Sequence, residues 1–394
     1  MPPKNGRDET RLIRAGHNTR PMVKTVGPAI QKGSTVLLPH AASLYDENNH
    51  LTYGRQGLSA QFALQAALEE LENARGVTLY PSGLSALTGA LLAVLKTGDE
   101  VLVTDTIYKP TRRFCDHLLK RLGIRVRYFD PLQSPQDLVG KASDAVALIL
   151  MESPGSLSFE MQDMARVAEL ARARGILTVA DNTWGAGYLY KPLDHGIDIA
   201  VQALTKYVGG HSDVFMGSAA ANDRKLVRAL EDGVIHLGWA VTGEDAYQML
   251  RGLRTLPTRL AKHGESGLAI AAWLQGRPEV ARVYHPALPG APGHDLWARD
   301  YSGSCGLFAF ALRPGPEAAV NAFLDELTLF GLGFSWGGFE GLAISCDHQL
   351  KTRTLHPDYG GPLIRLHIGL ENAGDLIADL ERALGVYAEQ VGRA

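Results

Sequence analysis

Cysteine is scarce in this chain of 394 residues, which has only three. Cys115, Cys305 and Cys346 lie far apart, and no two of them form a Cys-x-x-Cys pair. This spacing excludes a disulfide framework and a zinc knuckle, and it is typical of proteins from the reducing cytoplasm. We therefore expect a cytoplasmic protein with three buried, inert thiols and no metal site.

The chain also lacks a long apolar run and a surplus of either charge. No apolar stretch is long enough to cross a bilayer, and the polar N-terminus has no apolar centre of the signal-peptide kind. The 39 Lys and Arg residues are scattered and are matched by 42 Asp and Glu residues. We therefore expect neither a membrane nor nucleic acid as a partner.

The length and the order of the predicted elements indicate the fold class. A chain this long exceeds what one hydrophobic core usually fills, so two or more domains are expected. Strands and helices alternate from about residue 77 to residue 220, which predicts an α/β fold with a largely parallel sheet covered by helices on both faces. Residues 1–33 are polar and have the character of an arm. The pattern also predicts a long helix over 244–260, interrupted near Pro257, and a separate helix over 265–275.

Two polar residues stand at the ends of buried strands that we predict to be neighbours. Asp181 ends the apolar run 175–180, and Lys206 follows the run 196–204, directly after the hydroxyl of Thr205. Pyridoxal phosphate needs this pair, because a lysine forms its Schiff base and a carboxylate keeps its pyridine nitrogen protonated. Taken singly, such a lysine is more often a solvated surface residue and such an aspartate a turn or helix cap.

Tyr108 and Glu152 also fall at predicted strand ends. In open α/β sheets, ligands bind at the carboxyl ends of the strands. The position that these residues share with Asp181 and Lys206 therefore predicts one site at that edge.

Two further segments have the composition of anion sites. Ser82 and Gly83 lie between a short strand and a helix rich in Ala and Leu, so free backbone amides and the helix dipole can face a phosphate. That signal is weak alone, because many strand–helix turns contain Ser-Gly. Tyr53 and Arg55 stand in a turn framed by glycines, which is either an anion clamp or a plain surface turn.

Arg365 stands inside the apolar strand 363–369 and needs an anionic partner there. An internal salt bridge and a clamp for a substrate carboxylate account for it equally well. The glycine-rich segment 331–340 lacks the context of a nucleotide loop, so we expect it to shape a pocket.

Together these motifs resemble, over nearly the whole chain, the transsulfuration family of pyridoxal-phosphate enzymes of Cys and Met metabolism. The resemblance implies an aminotransferase-like fold of type I, with a large, mostly parallel sheet domain over 58–252 and a smaller C-terminal α+β domain over 253–394. It implies an N-terminal arm over 1–57 that contacts the neighbouring subunit. It further implies pyridoxal 5'-phosphate as cofactor, a small sulfur amino acid as substrate, and a homo-oligomer, a dimer with shared sites that assembles into a tetramer.

The resemblance also implies roles for individual residues. Lys206, Tyr108 and Asp181 are implied to be catalytic, as the Schiff-base lysine, the ring-stacking tyrosine and the partner of the pyridinium. The implied cofactor-binding residues are Tyr53, Arg55, Ser82, Gly83, Leu84, Tyr108, Asp181, Thr205 and Lys206. The first two of these would come from the neighbouring subunit. The implied substrate-binding residues are Ser335, Trp336 and Arg365.

Several segments resemble the branch of the family that catalyses β-elimination. Residues 152–156 read Glu-Ser-Pro-Gly-Ser where γ-specific members usually have an asparagine, and residues 334–340 carry aromatic side chains where γ-acting relatives tend to have a polar residue and a leucine. Residues 234–238 lack the tyrosine expected in a close β-acting relative. The implied reaction splits cystathionine, or another cysteine S-conjugate, and yields homocysteine, pyruvate and ammonia from cystathionine. A γ-acting enzyme with the same site and a non-catalytic cofactor-binding regulator are the alternatives.

Overall fold

The computed structural model of this protein describes residues 25–46 and 51–393. Much of the predicted arm over 1–57 lies outside the described residues. The proposed domain boundaries after residues 57 and 252 stay predictions.

A large sheet occupies the first half of the chain. Its strands within the described residues are β1 (Gly76–Tyr80), β2 (Glu100–Thr104), β3 (Arg125–Phe129), β4 (Val146–Glu152), β5 (Leu177–Asp181), β6 (Ile199–Gln202) and β7 (Gly217–Ala221). They are ordered β1-β7-β6-β5-β4-β2-β3, and the strands from β6 to β3 pair in parallel. Only β7 is reversed, because it pairs antiparallel with both β1 and β6. The predicted mostly parallel α/β sheet is therefore confirmed.

Helices alternate with these strands. They are α1 (Ser59–Glu72), α2 (Gly83–Val94), α3 (Lys109–Phe114), α4 (Pro135–Gly140), α5 (Met164–Ala173), α6 (Arg224–Leu237), α7 (Gly243–Leu253) and α8 (Leu256–Gln275). Strands β1 and β7 are buried along their whole length, as expected for a sheet that is covered on both faces.

The predicted interruption near Pro257 is present and lies just before that residue. Helix α7 ends at Leu253 and α8 begins at Leu256, so Pro257 lies in the first turn of the second helix. Proline is tolerated there, because the first amides of a helix have no partner within the helix and the fixed φ of proline suits its start. Residues 265–275 continue α8 and do not form a separate helix.

A second, smaller sheet follows. Its strands in the described part of the chain are β8 (Val280–Tyr284), β9 (Leu307–Leu312), β10 (Gly331–Leu332), β11 (Leu342–Ser345) and β12 (Leu363–His367), in the order β10-β11-β12-β9-β8. The accompanying helices are α9 (His294–Asp300), α10 (Glu317–Glu326), α11 (Asp347–Leu350) and α12 (Ala373–Arg393). Helices α10 and α12 pack together over a core of their own that includes Phe310 and Phe323. The predicted α+β character of this part is confirmed, although the sequence did not reveal β8, β10, β11, α9 or α11.

Candidate active site

The carboxyl ends of three parallel strands meet at one edge of the large sheet. Glu152 ends β4 and Asp181 ends β5, and the two residues are register partners. Strand β6 ends beside them, and Lys206 lies four residues beyond its last residue, Gln202. The predicted clustering of polar side chains at strand ends is therefore present.

The amine of Lys206 is half-buried and has specific neighbours. Its Nζ donates a hydrogen bond to Ser335 Oγ at 2.8 Å and lies 5.4 Å from the centre of the Trp336 ring. Burial, and next the charge of Arg365, lower the pKa of Lys206 to about 8, although Asp181 acts in the opposite direction. More of the amine is therefore neutral near neutral pH than in an ordinary lysine, and a base or nucleophile needs the neutral form.

Asp181 is held from one side. The backbone amide and the hydroxyl of Thr183 both donate to Asp181 Oδ1, at 3.0 and 2.5 Å. The same hydroxyl oxygen accepts the amide of Ala203 at 3.0 Å, which connects Asp181 to the segment before Lys206. Burial raises the pKa of Asp181 in spite of these bonds. A protonated pyridine nitrogen would supply the cation that a buried carboxylate needs.

Glu152 is a functional candidate to which the sequence reasoning gave no role. Burial, and next the charge of Asp181, raise the pKa of Glu152 well above its usual range. Its Oε2 accepts the backbone amide of Tyr108 at 2.7 Å, which fixes the main chain of the tyrosine. Tyr108 as a whole residue remains 44% exposed, so it is accessible to a ligand.

The predicted phosphate site has a capped helix start. Ser82 Oγ caps α2 by accepting the amide of Ser85 at 3.1 Å. A Cβ on Gly83 would lie 2.3 Å from Ala203 Cβ, so only glycine allows this helix start to pack against the segment before Lys206. The next residue, Leu84, is partly exposed. Thr205 Oγ1 accepts the amide of Met216 at 2.9 Å and donates to the carbonyl of the same residue at 3.1 Å, so its hydrogen is already used within the chain.

Arg365 lies on β12 and is buried. It donates to the carbonyl oxygens of Ser335 at 2.9 Å and Gly333 at 3.3 Å, and its Nε has no hydrogen-bond partner. None of the ion pairs among the described residues involves Arg365. The internal salt bridge considered from the sequence is therefore not found there, and the buried guanidinium remains available for a substrate anion.

The loop that carries Ser335 and Trp336 lies directly on Lys206. Gly337 has a φ of +83°, and a Cβ there would lie 2.9 Å from backbone and side-chain atoms of Lys206. The amide of Gly337 donates to His367 Nε2 at 3.1 Å, so the strand that carries Arg365 also holds this loop. The sequence did not predict a role for His367, because a histidine in an apolar strand indicates no specific function.

Tyr53 and Arg55 lie outside this cluster. Both are exposed, and the guanidinium of Arg55 donates to the carbonyl of Ile235 on α6 at 3.1 Å. Among the described residues, neither one bonds to Ser82, Thr205 or Lys206. Their predicted contact with the cofactor of a neighbouring subunit stays a prediction.

Two features are absent from the described part of the chain. No helix in residues 25–46 and 51–393 has the length and apolarity needed to cross a membrane. No group of three or more His, Cys, Asp and Glu residues in that same part could hold a metal ion.

The fold and the site together define a pyridoxal-phosphate enzyme. An amine with a lowered pKa, a buried carboxylate and a capped helix start are the groups that this cofactor needs for its aldehyde, ring nitrogen and phosphate. Comparison with known proteins agrees, since the model of the Cys/Met metabolism PLP-dependent enzyme family matches residues 9–385. The chain belongs to this family, and the predicted family and cofactor are confirmed.

Several similar proteins are named for cystathionine chemistry. The chain is 40% identical to the cystathionine beta-lyase of Escherichia coli, over 95% of this chain and 97% of the relative. It is 42% identical to the cystathionine beta-lyase of Bordetella avium, over 90% of each chain. A solved structure of cystathionine gamma synthase from Xanthomonas oryzae, in complex with cystathionine, superposes with a TM-score of 0.85 at 34% identity, covering 97% of this chain and 98% of the other.

Proposed function

We propose that this protein is a carbon–sulfur β-lyase that cleaves cystathionine, and other cysteine S-conjugates, in the cytoplasm. The relatives named cystathionine beta-lyase are 40% and 42% identical over nearly the full length. A small sulfur amino acid is the corresponding substrate class.

One observation carries the proposal. Ser335 connects the candidate base to the candidate carboxylate clamp, because its Oγ accepts from Lys206 Nζ at 2.8 Å and its carbonyl accepts from Arg365 at 2.9 Å. A substrate whose carboxylate is bound by Arg365 therefore has its α-carbon near the Lys206 amine. Holding the reacting groups in this way is what an α-proton abstraction requires.

The residues fit the cofactor in the following way. Ser82, Gly83 and the amino end of α2 would bind the phosphate, and Asp181 would pair with the ring nitrogen. Tyr108 would stack on the ring. When bound, pyridoxal phosphate supplies an electron-accepting ring for the electron pair left on the substrate α-carbon.

The chain's own groups then perform the proton transfers. Arg365 holds the substrate carboxylate, and the neutral amine of Lys206 removes the α-proton. Elimination breaks the bond between Cβ and sulfur, and the departing thiolate takes up a proton to become a thiol. Addition of water to the remaining fragment gives pyruvate and ammonia, so that cystathionine and water yield homocysteine, pyruvate and ammonia.

Product identification tests the reaction. Purified protein loaded with pyridoxal phosphate is incubated with L-cystathionine, and the keto acid is identified by chromatography. We expect pyruvate together with homocysteine. The similarity to a gamma synthase makes γ-cleavage the competing candidate, and 2-oxobutyrate with cysteine would overturn the proposal in its favour. A bound cofactor without turnover of any sulfur amino acid would instead indicate a regulator.

We further infer a homo-oligomer with shared sites, a dimer that assembles into a tetramer. The support is the position of Arg55, which is exposed and bonds to Ile235 on α6 while the cofactor site of its own chain lies elsewhere. A twofold interface would make the exchange of such residues reciprocal.

A further inference from the structure

The loop between β4 and α5 forms one wall of a small cavity, of about 30 Å³, at the edge of the candidate active site. This wall loop, residues 153–161, contributes Gly155, Leu157 and Phe159 to a cavity whose other side includes Asp181 and Arg365. Its shape therefore limits what can enter beside the carboxylate clamp.

The wall loop has a strained backbone. Leu157 and Phe159 have φ values of +70° and +61°, in the left-handed region that residues other than glycine rarely adopt. Such conformations persist only where the surroundings hold them. Inside the loop, the amides of Gly155 and Phe159 donate to the carbonyls of Glu160 and Gly155, at 2.9 and 3.0 Å.

Arg353 holds the loop from outside. This buried residue lies between α11 and β12 and therefore belongs to the smaller sheet unit. Its guanidinium donates to the carbonyl of Ser156, to Ser158 Oγ at 2.6 Å and to the hydroxyl oxygen of Tyr359 at 3.0 Å. Glu160 lies 3.9 Å away and balances part of its charge.

Open space lies behind the wall loop. A second cavity, of about 500 Å³, is lined by Ser158, Phe159 and Arg353. The loop therefore separates two cavities, and it has room to relax backwards if the guanidinium no longer holds it. The segment that carries Arg353 is itself anchored, because the amides of Thr354 and Leu355 donate to Asp105, each at 2.9 Å.

We propose that Arg353 is a positioning residue that holds the wall loop in its strained conformation and so sets the width of the substrate cavity. This inference rests on the proposed function. Loss of the guanidinium lets the loop move, which weakens binding of the substrate in the ground state and the transition state alike. The effect falls on KM, because a contact of equal strength in both states changes KM and leaves kcat nearly unchanged.

The test compares Arg353→Met with Arg174→Met in the holoenzyme. Arg174 is the control for its hydrogen bonds, because this exposed arginine also donates to two backbone carbonyls, those of Val139 at 2.5 Å and Ala142 at 2.9 Å, and it lines neither cavity. For Arg353→Met we expect KM for cystathionine to rise roughly tenfold while kcat changes less than about threefold. In Arg353→Met, hydrogen exchange of the backbone amides in peptides that cover 153–161 should accelerate roughly tenfold. In Arg174→Met, exchange in the same peptides should equal that of the wild type.

A second variant keeps the test decisive if Arg353→Met does not fold. Ser158→Ala removes one acceptor and leaves the arginine in place, so the same two readouts should move in the same direction by a smaller factor. Unchanged KM and unchanged exchange over 153–161 in the folded variants would overturn the role of Arg353. If wild-type protein forms no pyruvate from cystathionine, the proposed function fails, and the exchange measurement still decides whether Arg353 holds the loop.

Discussion

Lys206 has the environment of a reactive amine, because burial and a neighbouring arginine lower its pKa to about 8. Its bond to Ser335 directs it toward the side of the site where Arg365 lies. At the scale of single residues, the chemistry depends on the two cationic side chains of Lys206 and Arg365, which lie near each other.

Replacement of Lys206 by alanine should abolish turnover. The change removes both the proposed attachment point of the cofactor and the proposed base, so we expect kcat to fall by at least about a thousandfold while the fold persists. Pyruvate release from cystathionine is the measurement. Lys120→Ala, which removes an exposed lysine paired with Asp116 at 2.9 Å, serves as the control and should keep normal activity. Activity near that of the wild type in the Lys206 variant would contradict the role of Lys206 as base and attachment point of the cofactor.

The lowered pKa of Lys206 also predicts a cost in stability. Between its folded pKa of about 8 and its ordinary value of 10.5, the unfolded chain binds the proton and the folded chain does not, so stability rises with pH in that window. At pH 7 the cost is fully present, and Lys206→Met should stabilise the cofactor-free protein by roughly 1–3 kcal/mol. The gain should shrink toward pH 10. Urea denaturation at both pH values checks this, and a variant less stable than wild type at pH 7 would contradict it.

Arg365→Ala should weaken substrate binding. It removes a charge-assisted contact to a half-buried carboxylate, which costs about 2–4 kcal/mol in kcat/KM, mainly through KM. Arg277→Ala is the control, because that arginine belongs to the same sheet unit and pairs with Glu381 at 3.3 Å, away from the site. Normal steady-state kinetics in a folded Arg365 variant would assign the residue a structural role.

At the scale of elements, the site depends on loops that follow strand ends. The segment after β6 carries Lys206, and the loop before β11 lies on top of it with Gly337 at the contact. His367 on β12 accepts the amide of that glycine, so a strand of the smaller sheet positions a loop over the larger one.

Gly337→Ala should lower kcat/KM by more than the cost of placing alanine at a positive φ. The new Cβ meets backbone and side-chain atoms of Lys206 at 2.9 Å, so either the loop or the lysine must move, and we expect kcat/KM to fall at least about tenfold. Gly360→Ala is a close control, since Gly360 has a similar φ of +87° but the nearest atom to its Cβ is 3.5 Å away. Equal activities for the two variants, measured as pyruvate release, would show that contact with Lys206 is unimportant.

At the scale of the whole molecule, the two sheet units meet at the active site. Asp181 and Lys206 come from the larger unit, whereas Ser335 and Arg365 come from the smaller one. Tyr53 and Arg55 lie apart from both of these residue pairs. We therefore infer that they contribute to the site of a second subunit.

Co-expression of two inactive variants tests the shared site. If Arg55 acts across the interface, a mixed dimer of Lys206→Ala and Arg55→Ala chains has one intact site, and random pairing restores about a quarter of wild-type activity. Co-expression of Lys206→Ala with Lys206→Met is the control and should restore none. If tagged purification shows that mixed dimers form and activity is still not restored, Arg55 acts within its own chain, as a local clamp or a structural residue.

The sequence by itself determined the features that depend on neighbours along the chain. The alternation of strands and helices, the carboxylate that ends β5, the lysine after β6 and the Ser-Gly turn before α2 are local patterns, and each lies where it was predicted. These patterns can be predicted from the sequence because the carboxyl ends of parallel strands lie at one edge of the sheet, and this does not depend on the other parts of the fold.

Only the tertiary structure decided which distant groups meet. Nothing local in the sequence shows that Ser335 bonds to Lys206, that Arg365 lacks an internal ion pair among the described residues, or that Arg353 holds residues 153–161. These contacts join segments more than a hundred residues apart, and the packing of the second sheet against the first selects them.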